Sequence, residues 1–285
     1  MRDRITLGLL LLAGLAYGQP YARKADFQAT ALDKVPVLTT RAASPIAGRS
    51  VAVPASTLDT LPHLAVGGGF ESHIYLVNTG AARAKVAVKW HGDNGAPLAL
   101  EIRGANGQAF IGFEDELDPL ESVVIELVGG PEHKPGSARL VYDFNVTTFS
   151  AYLVFRDQGE ARKNQEATTW LMDRDYRNFA FVYENFGSDL TGVAFANTDP
   201  LNAVTVNLEF RSRQGQVFST GQFTVSPNGH KSFVLDWEYP QTEDKSGLVV
   251  ARCSAATCAA IALRFTAAGP YTTIPILTSY ELDRQ

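Results

Sequence analysis

The chain has 285 residues with 25 Lys and Arg against 30 Asp and Glu, a formal net charge of −5. Such a balance offers no basic stripe for nucleic acid, which argues against that class of partner. With 45% hydrophobic and 19% charged residues, there is material for two globular cores.

The first eighteen residues read as a secretory signal peptide. Met1-Arg2-Asp3-Arg4 is a short basic start, Ile5 to Ala16 is an apolar run, and Ala16 and Gly18 supply small residues for cleavage. The run is too short for a comfortable membrane span, so the mature chain is expected to be exported, to the extracellular space, the cell surface or the periplasm, without a transmembrane segment. Residues 19–60 lack strong periodicity and are expected to form an extended, partly disordered leader, with Val35-Pro36-Val37-Leu38 and Val51-Ala52-Val53-Pro54 as its short apolar pieces. The alternative for this leader is a strand laid against the first sheet.

Leu61-Pro62-His63-Leu64 opens the first domain, and Gly67-Gly68-Gly69-Phe70 follows it. No Lys-Ser/Thr and no helix follow these glycines, so they read as a bend or bulge before a strand and not as a phosphate loop. The next stretch is written twice. Leu76-Val77-Asn78-Thr79-Gly80 leads through Ala84 to Trp90 and Asp93-Asn94-Gly95; Phe195-Ala196-Asn197-Thr198-Asp199 leads through Val204 to Phe210 and Arg213-Gln214-Gly215. Ala84, Val86, Val88 and Trp90 alternate with Lys85 and Lys89, and Val204, Val206, Leu208 and Phe210 alternate with Thr205, Asn207 and Glu209. A period of two in β-branched and aromatic residues is the signature of a half-buried antiparallel strand.

The correspondence continues in order. Asp118-Pro119-Leu120-Glu121 before Ile125 and Leu127 matches Ser226-Pro227-Asn228-Gly229 before Phe233 and Leu235. The strand pair from Ala138 to Phe155 matches that from Gly247 to Phe265, and Ala167 to Met172 matches Tyr271 to Ile276. The fold class expected is therefore all-β: two tandem antiparallel β-sandwiches of immunoglobulin-like type, related by internal duplication, at 61–173 and 178–281 with a connector at 174–177. Residues 157–164, with Glu160, Arg162 and Lys163, read as a charged hairpin loop on the surface.

Catalytic signatures are missing. His63, His73, His91, His133 and His230 show no metal-ligand spacing, and turn or surface placement is the ordinary reading. There is no G-x-S-x-G and no S-x-x-K. Neither a metal, a cofactor nor a catalytic residue is assigned. Glu114, Asp115 and Glu116 form the densest acidic cluster; a glycan hydrolase would need two carboxylates facing across a cleft. Among the aromatics Trp170, Trp237, Tyr239 and Tyr271, Trp170 reads as core because Ile274 holds its matching position. Trp237-Glu238-Tyr239-Pro240 reads as a loop, making Trp237 and Tyr239 the ligand-binding candidates. Cys253 and Cys258 flank Ser254-Ala255-Ala256-Thr257 and are expected to close a hairpin as a disulfide in an oxidising compartment. Phe144 and Phe149 flank the matching turn of the first domain. Aligning Phe155 with Phe265 shifts the second strand by one residue, which a bulge would absorb.

Pro62-His63-Leu64-Ala65, Leu76-Val77-Asn78-Thr79, Asp93 to Leu98, Ala194 to Thr198, Val225 to Gly229 and Gly247 to Val250 together resemble a group of secreted bacterial proteins with paired immunoglobulin-like sandwiches. The resemblance spans residues 61–277 and implies architecture and export, with no chemistry attached. The function expected is non-enzymatic binding or scaffolding of a protein or polysaccharide partner, the alternative being a carbohydrate-binding or carbohydrate-active protein using loop carboxylates.

Overall fold

A computed structural model describes residues 38–39, 59–142, 148–159, 165–172, 175–266 and 270–278. The expected signal peptide, most of the leader, Phe144, Asp173, Arg174 and the charged stretch 160–164 lie outside the described residues. The first unit contains β1 (Leu38–Thr39), β2 (Asp59–Val66), β3 (Phe70–Asn78), β4 (Ala84–Gly92), β5 (Leu100–Ile102), β6 (Ala109–Phe110), β7 (Gly112–Leu117), β8 (Ser122–Val128), β9 (Lys134–Tyr142), β10 (Phe149–Asp157) and β11 (Gln165–Trp170). The second contains β12 (Asn178–Glu184), β13 (Leu190–Asn197), β14 (Val204–Ser212), β15 (Val217–Val225), β16 (His230–Val234), the single-turn helix α1 (Leu235–Glu238), β17 (Ser246–Cys253), β18 (Cys258–Phe265), β19 (Tyr271–Ile274) and β20 (Leu277–Thr278). No helix among the described residues is long and apolar enough to cross a membrane, which says nothing of strand-built barrels.

Each unit packs two sheets face to face. In the first the strand orders are β1-β7-β4-β9-β2 and β11-β10-β3-β8-β5-β6; in the second they are β15-β14-β17-β12-β20 and β16-β13-β18-β19. Placing β4 on β14, β9 on β17, β3 on β13 and β10 on β18 makes these orders coincide. The alternating residues point inward as their pattern requires, and Val86, Val88, Trp90, Val206, Leu208 and Phe210 are all buried. Trp90 satisfies its indole N–H on the Phe110 carbonyl at 2.9 Å, which a fully buried indole needs. β1 realises the leader's alternative reading: it pairs in parallel with β7, Leu38 beside Phe113.

A twin asparagine ties the sheets of each unit together. Asn78 donates its amide to the carbonyls of Ala82 and Leu117 and accepts from the Gly80 N–H. Asn197 donates to the carbonyls of Asn202 and Ser226 and accepts from the Asp199 N–H. Both side chains are fully buried; each bridges the end of one sheet to a loop of the other, which an apolar residue of similar size would leave unpaired.

Two sequence expectations are corrected here. The strands that Cys253 and Cys258 terminate are not a hairpin, because β17 and β18 belong to opposite sheets. The disulfide, with 6.8 Å between Cα atoms, therefore ties one sheet to the other across the end of the sandwich. Its counterpart in the first unit is Tyr142 against Phe149, ring centroids 5.0 Å apart, since Tyr142 pairs with Val86 as Cys253 pairs with Val206. Second, β18 runs in unbroken register beside β13, so no bulge restores Phe265 to the place of Phe155. Phe265 faces the opposite side of its sheet, away from Cys258, Ala260 and Ala262, which line the second core.

That opposite side is where the two units meet. Ala194, Val234, Ile261, Leu263, Phe265 and Tyr271 pack into one cluster with Leu61, Leu64, Phe155 and the rest of the first core, and β13, β16 and β18 lie across β2. All eight residues of β2 are buried. The strand carries a register break between Leu61 and Leu64 at Pro62-His63, where a bulge accommodates a proline and re-aims the side chain beside it.

Candidate interaction face

The expected exposed pair does not form. Tyr239 is only 8% exposed, with its ring against Phe210 and Phe233 at 5.1 and 5.7 Å. Gly221 makes room for it: a Cβ there would come within 2.3 Å of the ring. Burial pushes the Tyr239 hydroxyl up to about 12, and that hydroxyl donates to the Gln222 carbonyl at 3.3 Å. Trp237 is half-buried against the first unit's core. The segment expected as a loop begins with a helical turn after Val234, which folds Tyr239 over the sheet. Glu114, Asp115 and Glu116 take successive positions on β7 beside Ala87, Val86 and Lys85. Alternation puts Glu114 and Glu116 on one face of the strand and Asp115 on the other, so the cluster lies along a strand and not in a loop.

The register places an aromatic row elsewhere. Trp170 stands opposite Tyr152, Tyr152 opposite Tyr75, and Tyr75 opposite Val124. The four cross β11, β10, β3 and β8 on the outer face of the first unit. Tyr75 and Tyr152 stack with centroids 4.7 Å apart and planes 6° from parallel, and Trp170 follows at 5.8 Å. The tyrosines lend one another a ring face, while Trp170 at the sheet edge is 69% exposed and Val124 is 45% exposed. The next row down holds Thr168, Val154, His73 and Glu126, and the third holds Glu166, Arg156 and Glu71. Its charges are paired: Arg103 reaches Glu71 at 2.7 Å and Glu126 at 2.5 Å, and Arg156 reaches Glu166 at 2.5 Å. The face is an aromatic ridge beside an ionic rim in which Arg103 and Arg156 pair with three carboxylates.

The equivalent row of the second unit has another fate. Counting three residues from the twin asparagines, Ala194 takes the place of Tyr75, Ile261 that of Tyr152 and Ser232 that of Val124; Ala194 pairs with both. These residues are buried, because this row is the surface the second unit turns toward β2. One sheet face is thus covered in the second unit and open in the first.

The contact between units is polar as well as apolar. His230 Nδ1 donates to the Asp93 carboxylate at 2.7 Å, leaving Nε2 to accept from His63 Nδ1 at 2.9 Å. The two imidazoles stack at 4.9 Å and 17°, and both are buried. Burial first, then His230 and His133, holds His63 well below the ordinary histidine range, so it is neutral at pH 7. Arg139 donates to the Asn197 carbonyl at 2.8 Å. Burial raises Asp175 to about 6 against the pull of its hydrogen bond from Thr198 and the charge of Arg139. The Asp93-Asn94-Gly95 and Ser226-Pro227-Asn228-Gly229 turns meet here so closely that a Cβ on Gly95 would lie 1.8 Å from the Pro227 carbonyl oxygen. The expected surface placement of the histidines is therefore corrected for His63 and His230, which are buried between the units, and for His73, which is buried within the first unit's outer sheet face. No group of three His, Cys, Asp or Glu side chains among the described residues is arranged to hold a metal ion.

No protein-family model matches the chain, and no characterised protein and no solved structure is detectably similar to it. Tyr75 and Tyr152 were absent from the sequence candidates. Their signal is the outward phase of alternation, since Tyr75 shares a side with Glu71 and His73 while Ile74 and Leu76 are buried.

Proposed function

We propose that this is an exported, non-catalytic binding or scaffolding protein, built by duplication of one sandwich, that works through the outer face of its first unit. The carrying observation is the open row Trp170–Tyr152–Tyr75, whose counterpart in the second unit is a buried interface. Large aromatic side chains kept in water give up apolar surface without return unless something covers them. The stacked tyrosines hold the row in place, so little side-chain freedom is lost on binding.

A second reading, recognition of a glycan, is favoured by the exposure of Trp170 at the edge of the row, with half-buried Thr168 in the row beside it. Retention of the purified protein on insoluble cellulose, chitin and xylan, compared with Trp170→Ala, tests it. Retention that Trp170→Ala abolishes, with no soluble sugar released, supports glycan binding at this face. Release of reducing sugar would overturn the non-catalytic proposal. Binding that is indifferent to Trp170→Ala would remove this face from the function.

A further inference from the structure

We propose that the open face of the first unit docks a second copy of this chain, head to tail, on the β12–β20 side of that copy's second unit. The inference rests on reading this face as an interaction surface and names its partner. Within one chain the join has two halves. One is the row Ile261–Ala194–Ser232 of the second unit; the other is the β2 side of the first, where Thr60, Pro62 and His63 are buried and Thr60 exchanges backbone hydrogen bonds with Met172 at 2.9 Å. Each half has a counterpart at the far end of the molecule. The counterpart of the row is Tyr152–Tyr75–Val124 with Trp170 at its end.

The counterpart of the β2 side follows from register. Leu61 lies beside Ala138 and, through it, Trp90; Phe181 lies beside Val249 and, through it, Phe210. Phe181 therefore stands for Leu61, Ala180 for Thr60, and Val182 for the Pro62-His63 bulge. Leu277 pairs with Ala180 where Met172 meets Thr60. Of these counterparts Ala180 stays buried, while Val182 is 61% and Leu277 is 47% exposed, with half-buried Leu248 opposite Val182.

Chains of stacked units stay soluble when the terminal units present polar outer faces. Here both terminal faces keep apolar side chains at the positions the internal join uses. Two different patches that complement one another form a heterologous contact, which propagates as an open chain or closes as a ring. The bulkier row, Tyr75 and Tyr152 in place of Ala194 and Ile261, meets a strand whose ladder has no register break at Val182. The contact between copies therefore differs in detail from the one within a chain.

Sedimentation velocity on the purified protein over a concentration series, with Trp170→Glu, with Val182→Glu, and with the two variants mixed, tests the proposal. Both substitutions fall on exposed side chains, and unchanged thermal midpoints confirm that each variant folds. The expected result is concentration-dependent growth of the wild type beyond a dimer, monomeric behaviour of each variant alone, and a doubling of mass in the equimolar mixture. Each variant retains one intact half, so the mixture forms a capped dimer and nothing larger. A monomeric wild type, association that survives either substitution, or a mixture that stays monomeric would each overturn the partner. If the wild type is monomeric yet glycan retention still depends on Trp170, the face keeps its role as a binding surface and only the second copy is excluded.

Discussion

Gly95 and Gly215 occupy matching turns, with φ of 80° and 81°, and differ only in what surrounds them. A Cβ at Gly215 meets nothing within 4 Å, whereas one at Gly95 would sit 1.8 Å from the Pro227 oxygen and 3.0 Å from its carbonyl carbon. Gly215→Ala should cost the left-handed backbone penalty, about 1–2 kcal/mol. Gly95→Ala carries the same penalty and also falls some ~1.5 Å or more short of an ordinary contact distance. Its turn must retreat from the second unit, drawing Asp93 off His230. Overpacking and the lost charge-assisted hydrogen bond together add about 1–3 kcal/mol, at the lower end because the Asp93 side chain is half exposed. Urea unfolding of the two variants beside the wild type measures the difference. Equal destabilisation of Gly95→Ala and Gly215→Ala would refute the close approach of the two turns.

Acid should weaken the fold. Burial lowers His91 and His133 from 6.5 to about 4, so between those values the unfolded chain binds more protons and stability falls as pH falls, by up to about 3 kcal/mol for each group. Asp175, raised from 3.8 to about 6, acts with the opposite sign and offsets about one of the two. His63, held well below the ordinary histidine range first by burial, adds to the loss with the same sign. A urea midpoint that is level or rising from pH 7 down to pH 4.5 would contradict this. The Cys253–Cys258 bond predicts no alkylatable thiol in the native protein by intact mass, and its reduction should cost about 2 kcal/mol for so short a loop. Two free thiols in the native protein would show the bond is absent.

Local alternation was enough to read the strands. Val86, Val88, Trp90, Val206, Leu208 and Phe210 announce their inward face because a strand has a period of two and a sheet has one buried side. Turn residues at matching spacing also punctuate strands that take corresponding places in the sheet orders of the two halves. Which strands pair is a different matter. Cys253 and Cys258, five residues apart, suit a hairpin and a sheet-to-sheet crossover equally well, and only the hydrogen bonds of β17 to β12 and β14, and of β18 to β13 and β19, decide between them. Tyr75, Tyr152 and Trp170 are separated in sequence by 77 and 18 positions (152 − 75 and 170 − 152), and they become one row only through cross-strand register. Burial at the join between units could not be read either. His63 and His230 look like surface histidines until a proline bulge in β2 and the turn before β16 bring them within 2.9 Å. Alternation reports which side of a strand is apolar; whether the other side meets water or a neighbouring domain depends on contacts between residues far apart in the chain, which no local pattern encodes.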